Sequence, residues 1–194
     1  MSQPHNRVEE LKVGALQLKY IACKANPDVK SGVYEGGYQL WECTIDLLNF
    51  LADEDFTGKV VMDLGCGQGL LGILALLKGA QCVLFQDFNL EVLKELTLPN
   101  IDLNIQHDPS LSGRCRFQYG DWSALQTFQL ACEYTHIEPI IGIHLLYNPA
   151  SYGKLSNLLK AKLKAPLGQA ILANKLFYFG CGGNLNDFTD HLEE

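Results

Sequence analysis

The chain has 194 residues, 47% of them hydrophobic and 19% charged, which suits one globular domain with a substantial core. No run approaches the roughly 18 apolar residues that span a bilayer, and the start Met1-Ser2-Gln3-Pro4-His5 lacks the basic and apolar regions of a signal peptide. A formal charge of −7, with no basic cluster beyond Lys160, Lys162 and Lys164, argues against direct nucleic-acid binding and suits a basic protein partner. Seven cysteines without a C-x-x-C pair give neither a disulfide framework nor a zinc or other metal site, and read as small buried hydrophobes of a reducing compartment.

Residues 1–33 are polar and mixed, with a weak apolar pattern at Leu11, Leu16, Leu18 and Ile21, and form an N-terminal cap of undefined structure before a main domain over 34–194. Apolar positions from Tyr38 to Leu51 recur at helical spacing. Val60-Val61-Met62 is a buried strand running into Asp63 and glycines. The helix expected over Leu70–Lys78 is closed by Gly79. Cys82–Phe85 is a second strand. Asn89 can cap a helix from Leu90 that Pro99 should interrupt. Cys115–Tyr119 and Ile140–Leu146 read as further strands, Leu155–Leu163 as an amphipathic helix, Ala170–Ala173 as a fifth strand and Leu185–Leu192 as a last helix. This alternation predicts an α/β fold, a mostly parallel sheet with helices on both faces.

Ligands of such sheets bind beyond the carboxyl ends of the strands, where strand order reverses. Gly65, Gly67 and Gly69 stand at the end of the first sheet strand, where glycine lets backbone approach a ligand closely. Asp63 at that strand end is suited to an ammonium or an ordered water, which favours the methionine part of S-adenosylmethionine over a pyrophosphate. A dinucleotide is further disfavoured because Leu71-Gly72 follows Gly69 in place of the clean G-x-G-x-x-G pattern. Asp87, at the tip of the next strand, can accept from both ribose hydroxyls. Asp121 can take the adenine amino group and Trp122 can cover a ring face. In the structural alternative, Asp63 and Asp87 are helix N-caps and Trp122 is core.

The segments Ser31–Gly37, Leu40–Thr44, Met62–Gly67, Phe85–Asn89 and Thr97–Asn100 together resemble the protein-histidine N-methyltransferase family, over roughly residues 31–190. The resemblance implies a Rossmann-like seven-strand methyltransferase fold with S-adenosyl-L-methionine as cofactor. It also implies transfer of a methyl group to the tele nitrogen of a histidine in a large-subunit ribosomal protein, with cytoplasmic and nuclear localisation. By position it places Trp41, Glu42, Cys43 and Thr44 at a cofactor-pocket wall and Gly65 and Gly67 in the glycine loop. Gln86, Asp87 and Phe88 fall at the ribose-binding tip, and Asp121 and Trp122 on the adenine side. Tyr147 and Asn148 line a substrate channel, or equally are a turn residue and a helix cap before Pro149. No residue is assigned as a catalytic base, because a neutral imidazole nitrogen is itself the nucleophile.

The chain departs from that family in two places. Ile143 and His144 replace a Ser-Glu pair at the fourth strand, and Pro139 removes a ladder donor from it. The sheet's final hairpin is expected to be missing, which would leave Ile171, Leu172, Phe177, Tyr178 and Phe179 at an exposed edge. Two further readings follow: a non-catalytic relative acting as a cofactor- or protein-binding module, and a lysine methyltransferase of the same branch. Nothing in the sequence assigns an oligomeric state.

Overall fold

The computed structural model describes residues 7–23, 28–125 and 137–193; residues 1–6 and 24–27 of the expected cap lie outside them. The described start of that cap is a hairpin of β1 (Arg7–Val13) and β2 (Leu16–Ala22), with Val13 opposite Leu16. Gly14 opens the two-residue turn at a φ of 55°, a conformation that strains most side chains. Leu18 and Tyr20 are buried while Gln17 between strand neighbours faces out, the alternation of a half-buried strand. Asn100 Oδ1 accepts from Ile21 N at 2.9 Å, and Asn104 accepts from Lys19 N at 2.9 Å and donates to Lys19 O at 2.7 Å. The hairpin therefore shares the core and hydrogen bonds of the main domain.

Helix α1 (Glu42–Phe50) starts later than Tyr38, the predicted beginning. Trp41 is extended (φ −86°, ψ 149°) and its indole N–H donates to Gly36 O at 3.2 Å, which holds the preceding residues out of the helix. Next come β3 (Val60–Leu64), α2 (Leu70–Leu77) and β4 (Cys82–Asp87). Gly79 ends α2 in the left-handed conformation expected of it, at φ 92°. The helical run from Leu90 is not interrupted at Pro99, contrary to expectation. After α3 (Leu90–Val92) the chain widens into a π turn over Leu93–Thr97 and continues as α4 (Leu98–Asn104). Pro99 sits where the π turn passes into α4, and the wider turn before it accommodates the ring and the missing N–H.

The remaining strands are β5 (Cys115–Tyr119), β6 (Ile140–Ile143) and β7 (Ala170–Ala173); α5 (Trp122–Leu125), α6 (Tyr152–Lys162) and α7 (Leu185–Glu193) complete the helices. The five sheet strands are parallel, in the order β5-β4-β3-β6-β7. Every residue of β3 and β4 is buried, as central strands covered on both faces require. Alternation sorts their side chains into two layers. Val61, Val83, Phe85 and Ile141 pack with α1, α2 and the hairpin, while Met62, Leu64, Leu84 and Ile140 meet Leu155, Leu158 and Phe188.

Pro139 does not cost the sheet a ladder donor. It precedes β6, its carbonyl accepts from Met62 N at 3.1 Å, and the ladder's donors begin with Ile140. The fourth strand also ends early, at Ile143 and not Leu146, because His144 takes a left-handed conformation. Among the described residues β7 is a sheet edge. Ile171 and Leu172 still pack against the core, and so does Tyr178, whereas Phe177 and Phe179 are exposed. None of the six described cysteines forms a disulfide: Cys66, Cys82 and Cys115 are buried as expected, but Cys181 is exposed. No described helix is long and apolar enough to cross a membrane.

Candidate functional site

The chain leaves β3 toward β4 and β5 on one side and returns to β6 on the other, so a crevice opens past the carboxyl end of β3. A cavity of about 610 Å³ occupies it, within the range that holds a nucleoside-sized ligand. Gly65 and Gly67 line it with φ of 65° and 48°, and Gly69 follows in the same loop at φ 76°. A Cβ on Gly65 would stand 3.0 Å from Leu145 Cδ2, and one on Gly67 3.0 Å from Gly37 O. Backbone freedom and lack of room both demand glycine here.

Asp63 lines the cavity, but its Oδ2 accepts from Gly72 N at 2.8 Å, at the start of α2. Burial, opposed by that bond and reinforced by the Asp87 carboxylate, pushes it up to about 8. It therefore anchors the helix to β3 and keeps its proton at neutral pH, a poorer ammonium site than the sequence implied. Asp87 is also buried and lines the cavity; Oδ2 accepts from Gly67 N and Oδ1 from Asn89 N, each at 3.0 Å. Burial raises it to about 6, although the bonds from the Asn89 and Gly67 amides, with the Phe88 N–H nearby, hold it down. Each of its oxygens retains a lone pair, enough for two ribose hydroxyls. Phe88 lines the same wall. Asn89 begins α3 without capping it through its side chain, which instead donates to Val33 O at 2.8 Å.

Asp121 and Trp122 line the cavity from the third strand tip. Partial burial opposes charge on Asp121, but bonds from Lys154 (2.7 Å) and from the Ser123 amide and hydroxyl outweigh it and bring it down to about 2. Three of about four acceptor sites are thus occupied, leaving one for an adenine amino group. Trp41 and Thr44 line the pocket; Glu42 and Cys43, between them, do not. Gln86 is also outside the lining. Its Oε1 accepts from Gly65 N (3.2 Å) and Trp122 Nε1 (3.1 Å), and its Nε2 donates to Gly120 O (2.9 Å). It ties the glycine loop to the adenine side from behind, a positioning role.

Residues 30–37 run as a strap across the mouth. Asn89 Oδ1 accepts from Glu35 N at 3.4 Å on the β4 side, while on the β6 side Tyr147 donates to the Glu35 carboxylate and Asn148 Nδ2 to Ser31 Oγ at 3.2 Å. Tyr147 and Asn148 do line the cavity, and they also hold this strap. Asn148 additionally accepts from Ala150 N at 3.1 Å, the cap that the sequence offered as its other reading. Sequence reasoning gave Glu35, Lys154, Lys175 and Tyr178 no site role, yet all four line the cavity. Only Glu35 carried a signal, as part of the Ser31–Gly37 segment.

The residues fit S-adenosylmethionine: a glycine cradle, a buried diol acceptor, a ring-facing indole, and carboxyl groups at Glu35, Asp87 and Asp121 facing a cationic ligand. The sequence model of a family described as lysine methyltransferase matches residues 24–176. The chain is 39% identical over 193 residues to "Histidine protein methyltransferase 1 homolog" of Bos taurus, covering 88% of this chain and 52% of that protein. It is 40% identical over 168 residues to the protein of the same name from Dictyostelium discoideum, covering 86% and 52%. The chain thus spans about half the length of these curated relatives. A solved Streptococcus mutans structure, assigned as a SAM-dependent methyltransferase, superposes with a TM-score of 0.65 at 13% identity, covering 100% of this chain and 47% of that one, which speaks to the fold. With its cofactor S-adenosylmethionine, this chain belongs to the lysine methyltransferase family, and within the sequences compared it is similar to proteins named for histidine methylation.

Proposed function

We propose that the chain carries the catalytic domain of a protein methyltransferase that methylates the tele nitrogen of a histidine in a basic, ribosomal protein. The observation that carries this reading is the buried Asp87 beside the glycine cradle, in a cavity whose far wall carries the aromatic rings of Trp41, Tyr147 and Tyr178. S-adenosylmethionine, when bound, supplies an electrophilic methyl group. The chain's own part is to bind, orient and exclude water. Asp87 and the glycine loop hold one end of the ligand, Trp122 and Gln86 shape the adenine side, and the strap closes the mouth. A neutral imidazole brings its own lone pair, so no side chain has to remove a proton before attack. The chain's formal charge of −7 favours encounter with a basic protein, and a ribosomal target would place the enzyme in cytoplasm and nucleus.

The family description favours a second reading, lysine as acceptor. Incubation with methyl-labelled S-adenosylmethionine and large-subunit ribosomal proteins, followed by acid hydrolysis and amino-acid analysis, separates the two. Label in tele-methylhistidine is expected. Label in methyllysine would move the reading to the second acceptor, and a folded chain that binds cofactor but transfers no label would leave the binding-module reading.

A further inference from the structure

His144 carries two costs that the fold does not need. It is the one described non-glycine residue with positive φ, 53°, a conformation that strains most side chains. The residue is 92% buried, yet Nε2 has no hydrogen-bond partner, which is a further cost to the fold. The ring is nonetheless held in place: Trp41 lies 4.8 Å away at 42° and Tyr178 lies 5.5 Å away edge-on, while the backbone N–H donates to Ala173 O at 2.9 Å. A glycine or asparagine would hold the turn at less strain, and an apolar side chain would fill the space without an unpaired nitrogen. The position is the first after β6, beside the strand whose end carries the glycine loop, and the residue lines the cavity.

We propose that His144 Nε2 accepts a hydrogen bond from the N–H of the incoming imidazole, leaving the ring's other nitrogen, with its lone pair, free for the methyl group. This rests on the histidine reading above and names the residue that selects the acceptor ring. Two environmental facts support it. Burial, aided by the Lys175 charge and opposed by Glu42, lowers His144 to about 4, so it stays neutral and can accept. Trp41 and Tyr178 provide aromatic walls beside it for a second flat ring. Because Nε2 is buried, its use as an acceptor requires Tyr178, which packs edge-on against the His144 ring, to move aside.

The test uses the full chain saturated with S-adenosylhomocysteine and titrated with 4-methylimidazole, at a pH where the probe is neutral. The His144 ring nitrogens are followed by long-range proton–nitrogen correlation. Saturable movement of the Nε2 resonance is expected, together with at least about tenfold weaker probe binding in His144→Phe and S-adenosylhomocysteine affinity within about twofold of wild type. No probe binding, an unmoved Nε2 resonance, equal binding by His144→Phe, or a preference for n-butylamine would each overturn the assignment. The histidine reading fails separately: wild type that transfers methyl to histidine while His144→Phe keeps kcat and KM sinks this inference alone. His144-dependent probe binding with label found only in methyllysine sinks the histidine reading and leaves the ring site standing.

Discussion

Asp87→Asn offers the sharpest test of the pocket. The carboxylate accepts from Gly67 N and Asn89 N and keeps one lone pair on each oxygen. Bonds from ribose hydroxyls to the charged form are worth about 1.5–3 kcal/mol, so neutralising the group should weaken S-adenosylhomocysteine binding at least tenfold. The charge also titrates within reach. Because burial raises Asp87 to about 6, roughly nine-tenths of it is ionised at pH 7 but only about one-eleventh at pH 5. If only the ionised form accepts both hydroxyls, affinity falls about tenfold between those pH values as the carboxylate takes up its proton. Calorimetric titration of wild type and variant from pH 5 to 8 reads both effects. Wild type should lose affinity on acidification and Asp87→Asn should be weak and flat. A wild-type affinity independent of pH, or a folded Asp87→Asn that binds as tightly, refutes the diol role.

Three other outcomes are expected. The folded Asp63 carboxyl keeps its proton to about 8 whereas the unfolded one loses it near 3.8, so its contribution to stability declines as pH rises between those values. Asp63→Asn, which can still accept from Gly72 N, should therefore gain in Tm over wild type progressively from acid to neutral pH; a pH-independent difference would count against it. A Cβ on Gly72 would stand 2.3 Å from Phe85 Cε1, so Gly72→Ala should lower unfolding free energy by about 1–3 kcal/mol in urea titrations, with Phe85→Leu restoring part of it. Equal stability of Gly72→Ala would show that the helix slides freely on β4. Tyr147→Phe removes the bond to Glu35 and should speed S-adenosylhomocysteine release by about fivefold in stopped-flow displacement; an unchanged off-rate would show that the strap opens elsewhere.

The sheet was legible because its strands are apolar runs cut off by glycine or aspartate, as at Val60–Leu64 before Gly65 and Cys82–Asp87 before Asn89. The hairpin over residues 7–22 was not, because only one face is buried and its period-two pattern is diluted by Glu9, Glu10 and Lys12. Within the site, residues at strand tips were readable one strand at a time. Gln86 was misplaced because its partners Gly65, Gly120 and Trp122 come from three separate stretches of chain. Glu42 and Cys43 followed Trp41 into the expected site on sequence adjacency, which a helix does not respect. The sequence marks His144 only as a replacement within a Ser-Glu pair. Its backbone angle and its unpaired nitrogen, which no residue pattern encodes, give it a different standing.

The strap is a bar laid across the crevice. Glu35 is fastened on opposite banks of the crevice, through its amide to Asn89 and its carboxylate to Tyr147. A nucleoside too large to slip beneath it exchanges only when these fastenings let go in the same interval. Ligand residence is then governed by a loop remote in sequence from the glycines of the cradle.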